Sequence, residues 1–111
     1  METGIIFVEF KPNSYVTESD VIAIINVRKK LYTSDPQLVL ASSVNVKHTT
    51  QKAREAYKSP DLDEMTKGLA LLVKGPLSRF FGNYYIKVKP PDFPTKMFTD
   101  QDKAIEWLRS L

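Results

Sequence analysis

Hydroxyl, amide and basic side chains recur where apolar runs of this sequence end or where helices are predicted to begin. The set consists of Ser42, Ser43, Thr49, Thr50, Lys74, Ser78, Arg79 and Asn83. Such groups bind phosphate and carboxylate, and in parallel sheets ligands gather at the carboxyl ends of the strands. The set is therefore a candidate site for a small anionic ligand or a phosphoryl group. We favour the alternative, in which the hydroxyls cap helices and the basic side chains are solvated, because position within a fold is weak evidence for a site.

Catalytic and metal chemistry have little support in the residue types. His48 is the single histidine, and there is no cysteine. A catalytic histidine needs an orienting partner and a nucleophile, and no such arrangement is apparent, so we interpret His48 as a loop residue. We predict no catalytic residues, no enzymatic activity and no metal site. No glycine-rich phosphate loop occurs either, so no cofactor is predicted.

Length and charge restrict the remaining classes. The 111 residues predict a single domain over 1–111. The net charge of +3 is spread along the chain, which does not indicate a specific nucleic-acid binder. No apolar run approaches the roughly 20 residues of a membrane span. The absence of cysteine and of a basic N-terminal region favours a cytoplasmic location.

The central stretch runs from Lys67 to Pro91. Leu69–Val73 is apolar on both alternations, which predicts a strand covered on both faces, and Gly68 before it is interpreted as a helix C-cap. A helix is predicted from Pro76 to about Val88, and the alternative is that Tyr84–Val88 forms a strand, which its composition would also suit. One face of that helix is apolar and aromatic, which favours a core role over the stacking of nucleic-acid bases. The face consists of Leu77, Phe80, Phe81, Tyr84 and Val88.

The rest of the chain repeats the same strand-then-helix order. Three further strands are predicted at Ile5–Phe10, Gln37–Ser42 and Pro94–Phe98. Helices follow, with predicted N-caps at Thr17, at Thr49 or Thr50, at Ser59 and at Thr99. The first of them, to about Tyr32, has Val21, Ile24, Ile25, Arg28, Leu31 and Tyr32 along one side. Ser42–Val46 is interpreted as a polar exit from the second strand.

Four β-α units predict an α/β fold with a mainly parallel four-stranded sheet. If each strand lies beside the previous one, every helix falls on one face of the sheet. The other face would then expose Ile, Phe and Val side chains, which predicts that a second copy, another protein partner or a further N-terminal segment covers it. Of these we favour a homodimer or another protein partner.

Several motifs together resemble a known family over nearly the whole chain. They are Lys11-Pro12-Asn13, the Thr17 cap, Ala53-Arg54-Glu55-Ala56-Tyr57, Leu69–Lys74, Pro76-Leu77-Ser78-Arg79 with Gly82-Asn83, and Pro94–Thr99 before Glu106-Trp107-Leu108. With these motifs the chain resembles a family of small, uncharacterised bacterial proteins with the STAS fold, which is also called SpoIIAA-like. The resemblance implies a β-α superhelix. It also draws attention to Ser42–Thr50, because anti-sigma-factor antagonists carry a phosphorylated serine in an Asp-Ser-Ser-Gly turn at that place. The stretch here has hydroxyls without that motif.

The leading hypothesis is therefore a non-catalytic, STAS-like regulatory or protein-interaction module that forms a homodimer. The alternative is a domain that binds a small anionic ligand, a nucleotide or a lipid at the carboxyl-end edge of the sheet.

Overall fold

The computed structural model describes residues 4–33, 35–83 and 93–111, without the side chains at positions 77, 78, 81 and 82. In chain order the elements are β1 (Ile5–Val8), β2 (Ser14–Val16), α1 (Glu18–Leu31), β3 (Gln37–Ser42), β4 (Val46–Thr49), α2 (Gln51–Ala56), α3 (Pro60–Met65), β5 (Thr66–Leu72), α4 (Gly75–Asn83), β6 (Thr95–Phe98) and α5 (Gln101–Arg109). The main sheet has the strand order β1-β3-β5-β6, and all of its pairs are parallel. The predicted α/β fold with a four-stranded parallel sheet is confirmed.

A second, two-stranded parallel sheet joins β2 to β4. The side chain of Asn45 helps to hold it, since its Nδ2 donates to the carbonyl of Phe10 at 2.9 Å. The predicted polar exit holds for residues 43–45, which lie between β3 and β4. The interpretation of His48 as a loop residue was wrong, because it lies within β4, which begins at Val46. The strand escapes sequence reading because it is four residues long and only Val46 is buried.

The start of α1 follows the predicted pattern. The backbone N–H of Thr17 donates to Asp20 Oδ2 at 2.9 Å, and Val16 and Val21 belong to one buried cluster. Leu31 was predicted on the buried side, yet it is 51% exposed. The buried positions are Val21, Ile25 and Arg28, and Leu31 lies just off the stripe that they define.

The caps of α2 and α3 are Thr50 and Ser59. Thr50 Oγ1 accepts from the backbone N–H of Ala53 at 3.1 Å, which decides between the two threonines considered. Ser59 Oγ accepts from the N–H of Asp61 at 3.3 Å, with Pro60 in the first turn as predicted. Each cap satisfies an amide at a helix start.

Gly68 has a role different from the predicted helix cap. It lies inside β5, which begins at Thr66 directly after α3. A Cβ placed on Gly68 would lie 2.2 Å from Leu111 Cδ1. The glycine therefore leaves room for the residue that follows the last helix.

The cap of α5 is Asp100, one residue beyond the predicted Thr99. Asp100 Oδ1 accepts from the backbone N–H groups of Asp102 at 2.8 Å and Lys103 at 3.4 Å. A carboxylate at this position also complements the helix dipole.

Helices lie on both faces of the main sheet, so the prediction of a bare face was wrong. On one face α5 places Ala104 and Leu108 against Ile5, Leu40 and Ala70. The opposite face carries Ile6, Val39, Leu69 and Phe93, and α1, α2 and α3 pack beyond it around their own buried cluster. The prediction failed because the handedness rule concerns helices that connect two parallel strands. The α5 helix follows the edge strand β6, and among the described elements it does not connect two strands of the sheet.

The α4 helix is described only in part. Phe80, predicted in the core, is 62% exposed, whereas Arg79 is exposed as predicted. The side chains of Leu77 and Phe81 and the predicted continuation to Val88 lie outside the described residues. Within the described ranges, no helix has the length and apolar character needed to cross a membrane.

Candidate ligand-binding cavity

A cavity of about 140 Å³ lies between the main sheet and the layer formed by α1, α2 and α3. Most of its described wall is apolar. The apolar and aromatic lining residues are Val8, Phe10, Val16, Ile24, Ile25, Val39, Ala41, Val46, Tyr57, Leu62, Leu69, Leu71 and Phe93. Ala41 contributes only a methyl group to the wall between larger side chains, so space remains in front of β3.

Polar side chains form a smaller part of the same wall. They are Arg28, Ser42, Ser43, Thr49, Arg54 and Thr66, together with the hydroxyl end of Tyr57. Among the described lining residues the two arginines are the only charged ones, and none is Asp, Glu or His. The cavity is therefore mostly apolar, and the described residues that line it carry a net positive charge.

Arg28 joins α1 to the sheet at the end of the cavity where β3 and β5 begin. Its side chain is 6% exposed. Its Nε donates to Gln37 Oε1 at 2.8 Å and a terminal nitrogen donates to Thr66 Oγ1 at 2.7 Å. Gln37 Nε2 donates in turn to the carbonyl of Arg28 at 3.0 Å. These bonds offset part of the cost of burying a guanidinium, and they fix its position.

Arg54 lies toward the other end of the cavity, in a half-buried position on α2. One terminal nitrogen donates to the carbonyl of Thr49 at 2.6 Å and to Thr49 Oγ1 at 3.0 Å. Its Nε is shielded from solvent. The Thr50 cap starts the helix, and this places Arg54 within reach of the end of β4.

The predicted hydroxyls divide into two groups. Ser42 and Ser43 line the cavity at the carboxyl end of β3, and Thr49 lines it at the carboxyl end of β4, which belongs to the two-stranded sheet. Ser43 is anchored by its backbone N–H, which donates to the carbonyl of Leu72 at 3.0 Å. Ser42 Oγ accepts from the N–H of Val44 at 3.3 Å.

The remaining predicted residues lie elsewhere. Thr50 is a helix cap beside a separate shallow groove, Lys74 and Arg79 are exposed, and Asn83 is half-buried at the end of α4. None of these four is among the described lining residues. The side chain of Ser78 lies outside the described residues.

His48 lies on the surface beside another ring. It is exposed, and its ring centroid is 5.2 Å from that of Tyr15 at a tilt of 44°. Over the residues that the structure describes, no group of three or more His, Cys, Asp or Glu side chains could hold a metal ion.

Sequence reasoning missed both arginines as part of the site. A signal existed for Arg28, because a charged residue in the apolar stripe of α1 indicates a buried polar partner. The sequence gives no such indication for Arg54. The α2 helix is so short that the spacing of its apolar residues does not distinguish buried from exposed positions.

Comparisons with known proteins agree with this architecture. No curated protein matches the sequence. A similar solved structure is that of an uncharacterised protein of the DUF3478 family with a SpoIIAA-like fold, from Shewanella loihica PV-4. It is 18% identical with a TM-score of 0.66, over 90% of this chain and 82% of the other. The likeness confirms the predicted SpoIIAA-like fold. Residues 1–111 match the family described as a domain of unknown function, DUF7793, and the chain belongs to that family.

Proposed function

We propose that this domain is a non-catalytic binding module that takes a small, mostly apolar molecule into the cavity between α1 and the sheet. The observation that carries the proposal is the 140 Å³ cavity with its largely apolar described wall. An engineered cavity of about 150 Å³ with a similar wall binds benzene in another protein, so a volume of this order is sufficient for a ligand. In a regulatory module, the binding of a ligand in this cavity is the event that changes the activity of the module.

The polar groups of the wall support binding over catalysis. Proton transfer near neutral pH is usually carried out by His, and also by Glu, Asp, Lys, Tyr or Cys, and Tyr57 is the one residue of these types in the described lining. The described lining contains arginine, serine, threonine and tyrosine, and an arginine does not give up its proton in a protein. Such a wall orients a ligand without activating a nucleophile.

A homodimer, a protein partner and a cytoplasmic location stay predictions. The reason first given for a dimer, an uncovered sheet face, no longer applies, because α5 covers that face. The cavity therefore has better support than a protein interface.

Thermal unfolding of the full chain tests the proposal. The probes are 1-hexanol and toluene for the cavity, and ATP and GTP for the alternative of nucleotide binding at the sheet edge. A ligand at 100 times its dissociation constant adds about 2.7 kcal/mol, which is about 10 °C for a domain of this size. We expect the apolar probes to raise the melting temperature.

The variant Ala41→Leu places three carbon atoms in the cavity, which leaves too little space for a six-carbon probe, and it should abolish that shift. The exposed residue Ala23 on α1 provides a matched control, since Ala23→Leu adds the same atoms away from the cavity. If only ATP or GTP raises the melting temperature, the proposal is wrong and nucleotide binding at the sheet edge is favoured. If no probe shifts the melting temperature of the wild-type chain, the cavity does not bind ligands of this class.

A further inference from the structure

We infer that the ligand is an amphipathic monoanion, whose carboxylate is bound by Arg54 while its apolar part lies between α1 and the sheet. The inference rests on the proposed function, since it specifies the ligand of the same cavity.

The first argument is the charge of the wall. Arg28 and Arg54 are its only charged described residues. Electrostatic interactions are stronger in apolar surroundings than in water, so two cations beside one small cavity favour an anion and disfavour an amine. The apolar remainder of the wall requires that the rest of the ligand be apolar.

The second argument separates the two arginines. Arg28 is 6% exposed and holds α1 to the sheet through Gln37 and Thr66. Arg54 is half-buried, and the hydroxyl-bearing residues beside it on the cavity wall are half-buried as well. Its end of the cavity therefore offers both a cation and partial access from solvent. A ligand whose head group stays at Arg54 keeps its charge partly hydrated, which lowers the cost of binding.

The third argument concerns the shape of the head group. A guanidinium presents parallel N–H donors that match the two oxygens of a carboxylate. Ser42, Ser43 and Thr49 line the same cavity, and Thr49 Oγ1 contacts Arg54. The hydroxyl of Ser43 donates to the carbonyl of Leu72 at 3.4 Å, so Ser42 and Thr49 are the hydroxyls that can donate to a ligand. A carboxylate has acceptor sites for both kinds of donor.

The volume fixes the size of the probe. Because about 150 Å³ accommodates a benzene ring, the 140 Å³ cavity accepts an apolar part of about six carbon atoms. Hexanoate, 1-hexanol and hexylamine share such a chain and differ in the charge of the head group.

Calorimetric titration of the full chain with these three probes tests the inference. We expect hexanoate to bind at least tenfold more tightly than 1-hexanol, and hexylamine to bind most weakly. The variant Arg54→Gln should weaken hexanoate binding by about 10- to 150-fold, which is the range for hydrogen bonds to a charged group. The binding of 1-hexanol should stay unchanged. Arg109→Gln makes the same change on the exposed surface of α5, on the other face of the sheet, and should alter neither.

Each contrary result has a separate meaning. If hexanoate binds no more tightly than 1-hexanol, or if Arg54→Gln weakens both equally, the inference is wrong while the cavity remains a binding site. If none of the probes binds to the wild-type chain, the proposed function fails with it. If Arg28→Gln, and not Arg54→Gln, selectively weakens hexanoate, the carboxylate lies at the other end and the assignment to Arg54 is overturned. If Arg54→Gln does not fold, Arg54→Lys replaces it, and the same selective loss of hexanoate binding is required because lysine lacks the planar fork.

Discussion

Replacing Ala41 by leucine should stabilise the fold and at the same time remove ligand binding. Ala41 lies on β3, and its methyl group forms part of the cavity wall. Leucine adds three carbon atoms, fewer than the six of the benzene ring that a cavity of about 150 Å³ accepts. The 140 Å³ of space therefore takes up the new side chain without moving the backbone.

The size of the effect follows from the atoms added. Three buried carbons contribute about 2.4 kcal/mol at about 0.8 kcal/mol each. The loss of side-chain freedom on burial offsets about 0.5–1 kcal/mol of this for leucine. The net gain in the free energy of unfolding is therefore about 1.5–2 kcal/mol. For 111 residues this corresponds to a rise in melting temperature of about 6–8 °C.

The assay is urea unfolding followed by circular dichroism, with Ala70→Leu as the matched control. Ala70 lies on the adjacent strand β5, is 0% exposed and faces α5 across a closed core. The same three carbons have no space there, so overpacking should lower stability by about 1–3 kcal/mol. A loss of 1 kcal/mol or more in the Ala41 variant would refute the reasoning, because it would show that the space in front of β3 is already filled.

Three further changes test separate features of the structure by urea unfolding. Arg28→Met removes a buried donor and should cost about 2–4 kcal/mol, whereas a cost below about 0.5 kcal/mol would show that its hydrogen bonds add nothing. Asp100→Ala should lower the free energy of unfolding by about 1 kcal/mol and Thr99→Ala by less than about 0.5 kcal/mol. The reverse order would show that Thr99, the residue predicted from the sequence, is the N-cap of α5. Gly68→Ala should cost no more than about 0.5 kcal/mol, because its Cβ meets the end of the flexible, partly exposed Leu111 side chain. In a Leu111→Ala background the sign should change to a gain of about 0.5 kcal/mol, and equal effects in both backgrounds would contradict the contact.

Much of the fold was predictable because its signals are local. The apolar run at Leu69–Val73, the Thr17 cap with Asp20 and the Ser59-Pro60 start each depend on residues a few positions apart. The position of α5 was not predictable in this way. The residues of Gln101–Arg109 do not indicate which face of the sheet α5 covers. That face depends on the order of the strands and on which side of the sheet the other helices leave open.

The candidate site was predictable at its polar end and not along its walls. Ser42 and Ser43 follow from the rule that ligands gather at the carboxyl ends of parallel strands, whereas Thr49 ends β4, a strand of the second sheet that was not predicted. The cavity itself arises because the side chains of several elements do not fill the space in front of Ala41. The size of the cavity is the volume enclosed by these elements minus the summed volume of the side chains that point into it. Those side chains come from distant parts of the chain, so no single stretch of sequence reveals the cavity.

The position of α5 has a consequence for synthesis on the ribosome. Every strand of the main sheet precedes α5 in the chain, yet Ile5, Leu40 and Ala70 depend on this helix for cover. A nascent chain that has already paired its four strands still presents an apolar surface until residues 101–109 emerge. During that interval the unfinished protein is prone to aggregation and is a substrate for chaperones that bind apolar surfaces.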